Sequence, residues 1–337
     1  MSNSVHSGNG FRLAVRLMVR LTVFAAVYLL VLSPLINLYF DRVVMKNSLV
    51  RQSQRQFERM EELDILILGD SHSLLALNPY LLPDSYNYSS NGESYLQSYY
   101  KARKVLVPNA LGVGVVIIPF DPHSFSSFRT ERIKDILYWR RFLQFQGLCE
   151  RLGVFKAAEL MLDAWVFAYI GELRLTNATI DVLTGNRDMQ KLHHGFLPSE
   201  GSFEEACPTE EEKLTFAQSR IQHHLLGSDT LDERLVRAFE DLVLLCSRQN
   251  ITVIAVSFPI SDQYLELAGP MVTRDEMLAV VRDSVLSDEY LYFFDYSRLF
   301  SGKPEYLTDS DHVNVQGSRI LTRNLFKALC RLDLITI

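Results

Sequence analysis

The run Asp64-Ile65-Leu66-Ile67-Leu68-Gly69-Asp70-Ser71-His72-Ser73 decides the fold class. Its apolar half is short and continuous, the pattern of a strand buried on both faces of a parallel sheet, and it breaks at a glycine into small polar residues that suit a strand-to-helix turn. Ser71 therefore stands at the carboxyl edge of a sheet, where ligands gather because strand ends and helix starts leave backbone N–H groups unpaired. Far along the chain lies Asp309-Ser310-Asp311-His312. Its imidazole would take the proton of a Ser71 nucleophile, and Asp309 would hold the tautomer that accepts it. Asp311 is the rival acid, but adjacent side chains diverge, whereas residues three apart in a turn can meet.

Three further apolar runs, Val113 to Ile118, Ile251 to Phe258 and Leu291 to Phe294, have the same strand character. Helical stretches lie between and after them, from Glu93 to Leu106, Leu231 to Gln249 and Val315 to Leu332, with Pro108-Asn109 and Asn250 as stops. This alternation predicts an α/β fold with a parallel sheet and helices on both faces.

The two polar blocks resemble those of the SGNH or GDSL serine esterases and acyltransferases, in which Gly-Asp-Ser follows the first strand and Asp-x-x-His precedes the last helix. The resemblance covers roughly residues 63 to 121 and 250 to 330. It implies a flavodoxin-like three-layer sandwich, a triad of Ser71, His312 and Asp309, and an oxyanion held by the N–H groups of Ser71 and of Gly92, which lies in Tyr88-Ser89-Ser90-Asn91-Gly92. Asp70, His72, Asn91, Asp121 and His123 are the other pocket candidates. In the third block the chain departs from the family: Ile118-Pro119-Phe120-Asp121-Pro122-His123 stands where Gly-x-Asn-Asp is expected, so the Asn donor is missing. Loss of one oxyanion donor costs about 10²–10³ in turnover, and an ionised Asp121 would repel the charge. Either His123 or another group donates, or the site runs slowly, or the fold is a non-catalytic accessory that binds an envelope polymer or a membrane partner.

Membrane-attached relatives that acylate cell-envelope polymers are also similar to this chain in their divergent third block. They imply an ester on a carbohydrate or related envelope polymer as substrate, and a membrane-bound acyl-donor protein as partner. The plainer reading of the first block is that Ser71 starts a helix in an unrelated α/β protein while Asp70 accepts backbone N–H bonds.

Near the amino end, Leu21 to Phe40 carries no charge and is long enough to cross a bilayer core as a helix. No small-x-small cleavage site follows it, which favours an uncleaved anchor over a signal peptide, and a buried core helix would seldom run so long without a charge. Arg12, Arg16 and Arg20 precede it and would keep the amino end cytoplasmic, with the main domain extracytoplasmic, although Arg42, Lys46, Arg51 and Arg55 dilute the bias. The expected organisation is a tail over residues 1–20, a span over 21–40, a linker over 41–62 and an α/β domain over 63–337. An insertion at about 123–229 interrupts that domain. It contains helical stretches at Ile133 to Phe145 and Phe155 to Ile170, then a polar loop with Asn186, Gly195, Pro198, Gly201 and Pro208. It either caps the site or only pads the fold or contacts the membrane or a partner.

The formal net charge of −6 argues against nucleic acid as a partner. Tyr138-Trp139-Arg140-Arg141-Phe142 reads as a helix face with snorkelling arginines. The four cysteines, Cys149, Cys207, Cys246 and Cys330, form no Cys-x-x-Cys pair; Cys246 and Cys330, in helix-like apolar runs, read as small buried hydrophobes, with one disulfide open to a chain outside the cytoplasm. His193-His194 and His223-His224 lack the spacing and third ligand of a metal site. No cofactor or metal is expected.

Overall fold

Five short strands lie side by side in the order β2-β1-β3-β4-β5, all parallel. They are β1 (Ile65–Ile67), β2 (Ser85–Asn87), β3 (Val115–Pro119), β4 (Thr252–Ser257) and β5 (Leu291–Asp295). In the computed structural model the described residues are 6–39, 42, 48–131, 142, 145–162, 191–225, 231–269, 277, 279 and 290–335. The expected helical stretch Ile133 to Phe145 lies outside them except for Phe142 and Phe145, as do the part of the stretch Phe155 to Ile170 beyond Leu162, the patch Tyr138 to Arg141, and Asn186.

Six helices matter to the site: α1 (Leu49–Phe57), α2 (Ser71–Ala76), α3 (Tyr95–Leu106), α4 (Glu210–Leu225), α5 (Glu233–Ser247) and α6 (Val315–Arg331). Strand residues alternate between the two helical layers, as a pleat requires. Ile65, Ile67, Val115, Ile117, Ile254 and Val256 meet Leu321, Leu325 and Leu329 of α6, a stripe repeating every four residues along one helix face. Leu66, Val116 and Val253 point the other way and are fully buried too, in the layer where α3 and α5 pack together. Each such aliphatic contributes about 1.5–3 kcal/mol when removed from water.

Local chemistry starts these helices where the site needs them. Asp70 caps α2 by accepting from His72 N–H, Ser94 and Gln97 form a capping box on α3, and Asn314 accepts from the N–H groups of Gln316 and Gly317 at the start of α6. Gly69 bridges β1 to α2 at φ +122°, and a Cβ there would sit 2.3 Å from Pro119 Cδ. Only glycine fits that approach.

Residues Met1–Ser48 with Phe145–Met189 form one compact unit, and Leu49–Gln144 with Gln190–Ile337, which holds the sheet, form the other. In the first unit a helix over His6–Val27 continues through a π-helical turn, Tyr28–Leu32, into a helix over Ser33–Tyr39. Its portion Gly10–Ile36 is long and apolar enough to span a membrane. Helical structure thus begins well before Leu21, inside the stretch expected to be a tail. Two more helices of this unit, Phe145–Leu152 and Val154–Leu162, meet at Gly153 with φ +80°.

Candidate active site

The sheet brings the two distant blocks together at its carboxyl edge. Ser71 is the first residue of α2, and its Oγ lies 2.8 Å from Nε2 of His312. On the far side of that ring, Nδ1 lies 2.9 Å from Asp309 Oδ2 and 3.0 Å from Oδ1. Asp309 also accepts the N–H groups of Asp311 and His312, so one carboxylate closes the turn and orients the imidazole. The turn is pinned from behind by Asn314, whose side-chain NH₂ donates to the carbonyls of Gly201 and Glu305. Gly317 of α6 runs so close to Tyr306 that a Cβ would stand 2.2 Å from its carbonyl oxygen.

Asp311, the rival acid, lies farther off, its Oδ2 3.8 Å from His312 Nδ1. It is taken by Arg220 of α4, which donates Nε–H and Nη2–H to the two carboxylate oxygens at 2.8 and 2.7 Å. Burial alone would raise the Asp311 pKa. His312, His72 and Arg220 outweigh it and hold the carboxyl well below its usual range.

The other anticipated pocket residues separate into two groups. Asn91 is exposed and Gly92 half-buried, in a loop tied to the β1 end by Ser90 N–H donating to Gly69 O at 2.9 Å. Gly92 has φ +72°. Among the described residues, no turn or cap uses the N–H groups of Ser71 and Gly92. Behind this loop, Glu93 is buried against Lys101 Nζ at 2.5 Å and accepts Ser98 O–H at 2.6 Å, which braces the loop on α3.

Asp70, His72, Asp121 and His123 do not line an open pocket but lie buried beneath it. Asp121 neither faces an oxyanion position nor stands unpaired: Oδ2 meets His72 Nδ1 at 3.0 Å and Oδ1 accepts Phe258 N–H at 2.9 Å. His123 supplies no donor to the surface either, since its Nε2 lies 2.9 Å from Asp70 Oδ2, an oxygen that also accepts from Arg129. The physical reason is the Pro122 turn after β3, which rolls both side chains inward to satisfy one another.

Burial alone would lower the His72 pKa, but Asp121 first and Asp311 and Asp70 after it push it up to about 10. His123 goes the other way, to about 4, because burial and the charges of His72 and Arg129 disfavour a second cation. Asp70 is pushed up by burial, yet Arg129 and His123 keep it well below its usual range. His72 ties the layer to the surface, its ring edge-on to His312 with centroids 5.0 Å apart.

Sequence reasoning missed Arg129 and Arg220. Only the general rule that buried carboxylates need partners could have called for them. Two donor sets have metal-like spacing, His72 with Asp121 and His123, and His72 with Asp311 and His312, their ligand atoms lying within 4.8 Å of one another. In the first set Asp121 already meets His72, and in the second Asp311 already accepts from Arg220. His193 and His194 form a small bridged loop with Phe196 beside Tyr80, while His224 is buried with Nδ1 3.1 Å from Tyr264 Oη. All four cysteines are unpaired with one another.

No family model matches the chain, and no curated protein does. Among solved structures it is similar to a Bacteroides fragilis protein provisionally described as an acylhydrolase, at 11% identity and a TM-score of 0.41 over 86% of this chain and 98% of that one. Another is a Streptococcus pneumoniae protein provisionally described as a platelet activating factor, at 10% identity and a TM-score of 0.38 over 87% and 97%. At such similarity neither neighbour bears on the chemistry, which rests on the side chains.

Proposed function

We propose that the protein is a membrane-anchored, SGNH-like serine esterase or O-acyltransferase acting on esters of a cell-envelope polysaccharide or a related compound. One observation carries the reading: Ser71 Oγ, both nitrogens of His312 and the Asp309 carboxylate form a continuous chain with 2.8 and 2.9 Å links. In the proposed reaction Ser71 attacks the ester carbonyl while its proton passes to Nε2 of His312. Asp309 holds Nδ1–H and stabilises the imidazolium. The oxyanion is received by the N–H groups of Ser71 and Gly92. His312 then returns the proton to the leaving alcohol, and a second nucleophile, deprotonated by the same nitrogen, releases the acyl group from Ser71. Water in that role makes an esterase, and a sugar hydroxyl makes a transferase.

The apolar helix over Gly10–Ile36 supports an anchor. A tether of this kind raises the local concentration of a membrane-bound acyl donor, which tilts the reading towards transfer. The basic residues before Leu21 support a cytoplasmic amino end and an extracytoplasmic main domain.

The second reading, a non-catalytic accessory binding an envelope polymer or membrane partner, is favoured by the inward turn of Asp121 and His123, which leaves the third block without an oxyanion donor. A p-nitrophenyl acyl ester separates the two. The enzyme reading expects an acyl adduct on Ser71 by mass spectrometry and a burst of p-nitrophenol, faster to clear when a sugar acceptor is added if the protein is a transferase. A binder gives neither adduct nor burst.

A further inference from the structure

Between α1, α2 and the Gly92 loop lies a cavity of about 240 Å³. We infer that it is the acyl-chain subsite of the Ser71 centre, shaped for an aliphatic acyl group well longer than acetyl; this rests on the serine-ester reading above and specifies its substrate.

Position is the first argument. Leu74 lines the cavity and stands three residues after Ser71 on the same helix, so the two side chains are neighbours on one face. The opposite wall is the Asn91-Gly92 turn, whose Gly92 N–H would hold the carbonyl oxygen. An ester carbonyl placed between Ser71 and Gly92 therefore directs one substituent at this opening.

Lining is the second argument. Leu49 and Val50 from α1, Leu74 and Leu192 supply an aliphatic wall, and Leu49, Leu74 and Leu192 belong to one apolar cluster. Of its polar residues, Ser53 faces Tyr86 Oη, Glu93 meets Lys101 and Ser98, and the Gln97 carbonyl accepts from Ser94 N–H, while Ser89 Oγ is buried with no hydrogen-bond partner among the described residues. A methylene chain laid along the four aliphatic side chains would find a surface that needs no hydrogen bonds. Volume sets the scale, because an aliphatic cavity of about 150 Å³ accommodates a benzene ring. The walls from residues 49–50 and 192 fall outside the blocks shared with the esterases, so the chain-length preference would be this protein's own.

Alkyl fluorophosphonates test the subsite on the full-length chain in lipid nanodiscs. Ser71 Oγ attacks phosphorus, fluoride leaves, the serine proton goes to His312, and the alkyl group takes the acyl position. Each buried methylene is worth roughly fourfold in rate, so a hexyl probe should label Ser71 at least about tenfold faster than an ethyl probe. Leu192→Phe and Val50→Phe, from separate walls, should each slow hexyl labelling about fivefold or more and leave ethyl labelling within about twofold. Ethyl labelling also shows that each variant is folded. Equal rates for the two probes, or hexyl rates unchanged in both variants, would overturn the subsite and leave Ser71 as the nucleophile. Failure of both probes on the unmodified protein would remove the nucleophile and the subsite with it.

Discussion

Asp70, Ser71 and His72 are consecutive, yet they belong to two regions with opposite physics. Ser71 faces the rim of the sheet, where its hydroxyl meets His312 and solvent can reach the pair. Asp70 and His72 turn into a buried layer that fixes their charges against Arg129, Asp121 and His123. The start of α2 makes the division, because successive helical side chains point about 100° apart and the cap residue is still extended. At the rim a group must change protonation to act, whereas in the layer below a fixed protonation state holds the rim in place. Mutations should therefore affect turnover without stability in the first region and stability before turnover in the second.

The largest expected effect is at the rim. Ser71→Ala should lower acyl turnover by about 10⁶, while stability to denaturant stays within roughly 0.5 kcal/mol of the parent. Asp309→Asn should cost about 10⁴ in kcat by releasing the His312 tautomer, again in a folded protein. A loss of stability in step with activity in either variant would break the division.

In the layer below, Asp70→Asn leaves the Arg129 guanidinium buried without its counter-ion and should destabilise by about 3–5 kcal/mol in urea, with labelling of Ser71 retained wherever the variant is folded. The smallest effect is gradual, at most about 1.4 kcal/mol per pH unit for each group. His72, raised to about 10, gives stability that is complete below about 6.5 and fades as the pH climbs through 10. His123, lowered to about 4, works in the opposite sense: below about 6.5 the unfolded chain gains a proton that the folded chain refuses, so stability falls between there and 4. Melting temperature should thus peak near pH 6.5 and fall on both sides. His72→Gln should flatten the alkaline limb and also weaken the acid one, because the His72 charge helps to hold His123 low.

The sequence makes the rim far more legible than the layer beneath it. β1, β3, β4 and β5 sit on runs whose uninterrupted apolar character only a doubly covered strand explains, and they lie within two residues of the expected bounds at each end. β2 was not foreseen, because Ser85-Tyr86-Asn87 carries no apolar run; it pairs through backbone while Asn87 donates to the carbonyls of Ser73 and Leu77. Ser71 and the Asp309–His312 turn could be picked out because each is a local motif. The buried layer joins Asp70 to Arg129 and Asp311 to Arg220 across 59 and 91 residues, and nothing in either neighbourhood marks those partners. An ionised Asp121 would repel an oxyanion, but its position in the third block does not reveal that the side chain meets His72 after the turn at Pro122.

Gly-Asp-Ser-His-Ser also offers a control from the buried side, since Ser73 lies two residues from Ser71 with its Oγ enclosed and, among the described residues, without a hydrogen-bond partner. Peptide mapping after exposure to a fluorophosphonate compares the two serines directly. The adduct should fall on Ser71, persist in Ser73→Ala, vanish in Ser71→Ala and form far more slowly in His312→Ala. An adduct on another serine, or labelling of Ser71 that is indifferent to His312, would contradict the account.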